Sequence, residues 1–105
     1  MDEGEFERLA TAMLNRIEAA LEACDADLDF ELAAGGVLEI EFADGTKIIV
    51  NRHGAAREIW VAARSGGFHF RHVDGLWRDT RSGEELLAAL TRLASAQAGA
   101  PVDLS

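Results

Sequence analysis

The apolar residues of this chain change period within a few positions around Asp25, and that change constrains the fold more than any other feature. From residue 3 to residue 24, Phe6, Leu9, Ala10, Met13, Ile17, Ala20, Leu21 and Cys24 recur at three- and four-residue spacing. At about 100° per residue they fill one arc of a helical wheel. Glu3, Glu7, Glu18 and Glu22 fall on the other side, and Asp25 continues their line. Cys24 lies mid-arc, so it reads as a small core hydrophobe rather than a nucleophile. Beyond Asp25 the period becomes two: Leu28, Phe30 and Leu32 alternate with Asp27, Asp29 and Glu31. Alternation of this kind marks a strand with one buried face.

The period of two then persists through the middle of the chain. "VLEIEF" (37–42) alternates again, after a turn at "AAGG". "ADGT" (43–46) carries Asp44-Gly45, a two-residue hairpin signal, before a third strand at "KIIVN" (47–51). "EIWVAA" (58–63), "FHFRH" (68–72) and "LWRD" (76–79) are read as further strands, the last two separated by a turn at Asp74-Gly75. Ser82 and Glu85 have capping-box spacing, which predicts that a second helix starts at Ser82. Leu86, Ala89, Leu90 and Leu93 form its apolar stripe, and Gly99 with Pro101 marks its end. The order is helix, five or six antiparallel strands, helix. Two amphipathic helices bracketing such a meander both pack on one sheet face, giving an α+β fold, a two-layer α-β sandwich. Residues 1–105 are read as a single domain, a length able to bury a core without disulfides.

Placing both apolar sets of the first two strands on one face predicts a register. Leu32 pairs with Leu38, Phe30 with Ile40 and Leu28 with Phe42. Glu31 then faces Glu39 and Asp29 faces Glu41. Like charges placed directly opposite destabilise a pair by about 0.2–1 kcal/mol. The charge is concentrated as well. Residues 1–31 hold ten acids against two bases, −8 of the chain's net −9. Six of these acids, Glu18, Glu22, Asp25, Asp27, Asp29 and Glu31, run from 18 to 31 with no Lys or Arg among them.

That balance disfavours nucleic acid and anionic membranes and favours cations or a basic protein surface. The single cysteine allows no internal disulfide, which suits a reducing cytoplasm. No cationic, apolar leader and no apolar run of membrane-spanning length is apparent. The acidic run has a bland reading, a solvated face, and two sharper ones. Oxygen ligands without His or Cys suit hard cations such as Mg²⁺, Ca²⁺, Mn²⁺ and iron, held weakly on an open ridge. The same ridge equally serves as a docking surface for a basic partner. An EF-hand is excluded, because Phe30 stands where the loop needs Gly and Gly36 where it needs Glu. His53, His69 and His72 have no metal-ligand spacing. No Ser-His-Asp motif, P-loop, dinucleotide fingerprint or Glu-x-x-His pairing of a di-iron ferroxidase is present. A strand Trp ordinarily packs in a core. Trp60, however, has the parity opposite Ile59 and Val61, which would place it on the open sheet face as a partner anchor.

These residues resemble the frataxin family, specifically its bacterial members. "EFERLA" opening an acidic first helix, "DGTKIIVNR" (44–52), "EIWVAA" (58–63), "GGFHF" (66–70) and "LWRDTRSGE" (76–84) match in order and approximate spacing. The resemblance implies an α-β sandwich and a non-enzymatic iron-binding protein of iron–sulfur cluster assembly. It implies weak binding of Fe²⁺ or Fe³⁺, with other divalent cations as competitors, and a role as regulator of the cysteine desulfurase or iron donor. It implies partners in that desulfurase and the cluster scaffold protein, and a cytoplasmic monomer able to oligomerise with iron. The metal residues carried over are Glu18, Glu22, Asp25, Asp27, Asp29 and Glu31. The partner-binding residues are Glu18, Glu22, Asp25, Asn51 and Trp60. Ala19 and Ala23 stand where bacterial relatives often carry further acids, which thins the helical part of the ridge. The alternative is an acidic interaction module whose metal binding is incidental.

Overall fold

The computed structural model describes residues 1–105. Helix α1 (Glu3–Ala23) starts where the Asp2 carboxylate accepts from the Glu5 N–H at 2.8 Å. Glu3 and Glu5 in its first turn favour the positive end of the helix dipole. Six strands follow: β1 (Leu28–Ala33), β2 (Val37–Phe42), β3 (Lys47–His53), β4 (Glu58–Ala63), β5 (Gly66–Val73) and β6 (Leu76–Asp79). They form one antiparallel meander in sequence order, and α2 (Leu86–Ala98) closes the chain.

The predicted register holds in full: Leu28 faces Phe42, Asp29 faces Glu41, Phe30 faces Ile40, Glu31 faces Glu39 and Leu32 faces Leu38. One parity of every inner strand is buried, through Leu38, Ile40, Ile48, Val50, Ile59, Val61 and Phe70. These side chains share a core with Phe6, Ile17 and Leu21 of α1 and Leu86, Leu90 and Leu93 of α2. Both helices therefore cover the same sheet face, and the other face is open. Cys24 is half-buried against this core and its Sγ–H donates to the Leu21 carbonyl at 3.2 Å.

Two local readings are corrected. The second helix begins at Leu86, not Ser82. Glu85 is itself the cap, its carboxylate accepting from the N–H groups of Leu87 (2.7 Å) and Ala88 (3.2 Å). Glu85 also forms an isolated bridge with Arg78, and the Glu84 carbonyl before it accepts from the Asp79 N–H. Asp44-Gly45 lies within a four-residue loop rather than a two-residue turn. Asp44 accepts from both the N–H and the hydroxyl of Thr46, while the Phe42 N–H donates to the Thr46 carbonyl. Asp74-Gly75 is a tight two-residue turn, where φ is +53° and +82°. Gly99 does end α2, at φ +69°.

Two tethers hold the layers together. Arg52 of β3 reaches across to α1, 2.9 Å from the Glu7 carboxylate and 3.0 Å from the Thr11 hydroxyl. It passes over Gly36, where a Cβ would lie 2.6 Å from the Arg52 Nε. Gln97, buried near the end of α2, accepts from the Arg64 N–H and donates to the Thr46 hydroxyl and the Lys47 carbonyl. The chain beyond Gly99 turns back onto the core with Val102 and Leu104 buried. The Ser95 hydroxyl donates to the Val102 carbonyl and accepts from its N–H, and Thr91 accepts from the Leu104 N–H.

Candidate functional site

The six carboxylates fall on three consecutive pieces of structure. Glu18 and Glu22 are one turn apart on α1, Asp25 and Asp27 lie in the connection, and Asp29 and Glu31 stand on β1. Glu18 is half-buried, the other five are exposed, and none forms an ion pair or a side-chain hydrogen bond. The helix end they crowd carries no basic residue in its last turn. Acids at that negative dipole end cost about 0.3–1 kcal/mol each at low ionic strength. Cross-strand repulsion between Asp29 and Glu41, and between Glu31 and Glu39, adds a similar penalty. A cation or a basic surface would relieve both.

The structure does not gather the six into one centre. Asp25 and Asp27 border a cleft at the end of the sandwich where both helices finish, together with Asp44 and Asp103. Those latter two are already satisfied. The Thr46 hydroxyl and N–H and the nearby Arg64 hold Asp44 below the ordinary carboxylate range, and the Ser105 hydroxyl and N–H do the same for Asp103. Asp29 and Glu31 share a shallow depression with Glu39 and Glu41, while Glu18 and Glu22 remain on the helix. No three His, Cys, Asp or Glu side chains converge as a chelating group. The arrangement is a string of carboxylates that suits exchangeable, partly hydrated hard cations.

On β2 the ridge is partly neutralised. The Lys47 ammonium donates to the Glu39 carboxylate at 2.6 Å, and that hydrogen bond, with the charges of Glu39 and Glu41, raises the lysine's pKa. The two like-charge pairs expected across β1 and β2 are therefore unequal on their two sides. The structure leaves the ridge freest on β1 and before it.

Asn51 and Trp60 are directly paired across β3 and β4 on the open sheet face. Trp60 is half-buried there, because it is sandwiched between two imidazoles. His53 stacks on it at 3.9 Å and His69 at 4.4 Å, each within 8° of parallel. Under this stack lies Glu58, whose side chain is only 7% exposed. Its carboxylate accepts from the Trp60 Nε1–H at 2.9 Å and from Arg71 at 2.7 Å, with the His69 Nδ1 3.6 Å away. Burial pushes this carboxyl's pKa up. The hydrogen bonds from Trp60 and Arg71 and the neighbouring positive charge outweigh it and hold the group below the ordinary glutamate range.

Glu58 was not singled out in the sequence, and His53 and His69 were weighed there only as metal ligands. Strand parity was the available signal for Glu58 and His69, since both share the face of Trp60. His53 is diagonal to Trp60, so finding it required the β3–β4 register.

The comparisons agree with this architecture. Residues 1–100 match the model of the frataxin-like domain. The chain is 67% identical over 104 residues to the iron–sulfur cluster assembly protein CyaY of Dechloromonas aromatica, covering 99% of both chains. It is 52% identical to the protein of that name from Paraburkholderia phymatum, over 100% of this chain and 99% of the other. Among solved structures it superposes on the frataxin from Psychromonas ingrahamii with a TM-score of 0.91 at 33% identity, covering 100% of this chain and 99% of that one. The chain belongs to the frataxin family.

Proposed function

We propose that this chain is an iron-binding protein of iron–sulfur cluster assembly. It carries Fe²⁺ or Fe³⁺ weakly on Glu18, Glu22, Asp25, Asp27, Asp29 and Glu31 and docks through Glu18, Glu22 and Asp25 on a basic surface of the cysteine desulfurase. Asn51 and Trp60 form a second partner contact. It acts in the cytoplasm, without catalysis of its own, by regulating the desulfurase or delivering iron. The names of its relatives support the pathway. The observation that carries the site is the set of six carboxylates without a counter-charge, placed where the helix dipole and the opposite strand both disfavour them. Iron is cargo here, and carboxylates that do not close into a cage release it readily.

One observation favours a second reading. Since no three acids converge, the ridge also suits a pure interaction module whose metal binding is incidental. Two experiments separate them. Under anaerobic Fe²⁺ titration, backbone NMR signals of residues 18–31 should move first; no movement at millimolar iron sinks the iron reading and leaves the module. Reversing Glu18, Glu22 and Asp25 to Lys should abolish desulfurase binding, and unchanged affinity would remove the docking claim.

A further inference from the structure

The two edges of the sheet are treated differently. Along β6 the edge is covered from within the chain: the Asp79 N–H donates to the Glu84 carbonyl, the Gly83 N–H to the Asp79 carbonyl, and Arg78 bridges to Glu85. Along β1 nothing covers it. Apart from its ladder to β2, the only backbone hydrogen bond from this strand runs from the Leu28 N–H to the Ala26 carbonyl. Every second residue of β1 therefore presents an N–H and a C=O outward without a partner in the chain.

The side chains of β1 are left incomplete on both faces. On the helix side, Leu28 and Phe30 are only half-buried and Leu32 is 40% exposed. Their cross-strand partners Phe42, Ile40 and Leu38 are 3%, 0% and 0% exposed. The difference is that β2 has a strand on each side and β1 has one. On the open face Asp29 and Glu31 have an acid on their inner side and nothing on their outer side.

We infer that β1 accepts a seventh strand, an extended segment of a partner protein alternating basic and apolar residues. Its backbone would complete the β1 ladder. Its Lys or Arg side chains would lie beside Asp29 and Glu31, and its apolar side chains would cover Phe30 and Leu32. This rests on the ridge being a docking face for a basic partner and adds the manner of docking. A second copy of this chain is the poorer occupant, because it would bring Asp29 and Glu31 against the same acids.

The test uses the intact chain and the peptide acetyl-Lys-Val-Lys-Val-Lys-Val-Lys-amide. Two controls accompany it: the same residues as Lys-Lys-Lys-Lys-Val-Val-Val, and the alternating peptide N-methylated at every second residue. The alternating peptide should bind and slow hydrogen exchange at alternate amides of residues 28–33. Both controls should bind at least about ten-fold more weakly, and Asp29→Lys/Glu31→Lys should weaken the alternating peptide by about ten-fold or more. If all three peptides bind alike, with salt-sensitive affinity and no protection of β1 amides, strand addition is overturned while electrostatic docking stands. If none binds, strand addition also falls. Protection of β1 with dimerisation in the absence of peptide would overturn the choice of occupant.

Discussion

Glu58 and Glu31 stand on the same open face of the same sheet, and their surroundings could hardly differ more. Glu58 is covered by Trp60, His69 and Arg71 and uses both carboxylate oxygens as acceptors. Glu31 sits on the edge strand opposite another glutamate and accepts nothing. This fold can thus satisfy an acid on its open face, and in the centre it does so. At the edge and along the end of α1 it leaves six acids unsatisfied. The contrast separates a preorganised, neutralised centre from a ridge whose charge is available to something outside the chain.

The largest expected effect is on docking. Charge reversal at Glu18, Glu22 and Asp25 should weaken desulfurase binding by about 1,000-fold at low salt, since each desolvated charge contact is worth about 1.5 kcal/mol or more. Reversal at Glu58 would not be equivalent, because that charge is already spent on Arg71. If Glu58→Gln weakens docking as much, the contrast between the regions fails.

Stability should respond in opposite directions. Glu58→Ala leaves the Trp60 Nε1–H and Arg71 without their acceptor and should destabilise the protein by about 2 kcal/mol in urea unfolding. That figure is below the usual range for a broken buried pair because Arg71 is 61% exposed. Asp29→Asn with Glu31→Gln should stabilise by about 0.5–1 kcal/mol at low ionic strength, where repulsion is least screened. Both signs are needed for the comparison to hold.

The pH dependence follows from Glu58. Its folded pKa lies below its unfolded one, so its contribution to stability is present above the ordinary glutamate value of ~4.3. It is lost as the pH falls below that value through the depressed folded pKa. Wild type should therefore lose more stability than Glu58→Gln between about pH 6 and pH 3, as chemical denaturation at each pH would show. Equal losses would mean that the carboxylate is not held by its neighbours. The smallest effect is that of salt. Raising ionic strength from about 0.01 to 0.1 M shortens the Debye length from ~30 to ~10 Å. That should raise the Tm of the wild type by a degree or two and that of the Asp29→Asn/Glu31→Gln variant by less.

The ridge was legible in the sequence because period alone fixes which side of β1 and β2 each residue takes. The register of Asp29 with Glu41 and Glu31 with Glu39 follows from it. The centre was less legible. Glu58 begins a strand and reads as an exposed acid until β5 supplies Arg71 opposite it and His69 diagonal to it. The start of α2 was misplaced because Ser82 and Glu85 have the spacing of a capping box, yet Glu85 is the residue that caps. The return of Val102 and Leu104 onto the core had no usable signal, since two apolar residues are too few to establish a period.

The measurement closest to the central claim follows one variant by two readouts. Asp29→Asn/Glu31→Gln, titrated with Fe²⁺ by NMR and melted at low salt, should have a higher Tm than the wild type and lose the iron-induced shifts of residues 27–31. A lower Tm with those shifts intact would mean that these carboxylates are structural and that the iron lies elsewhere.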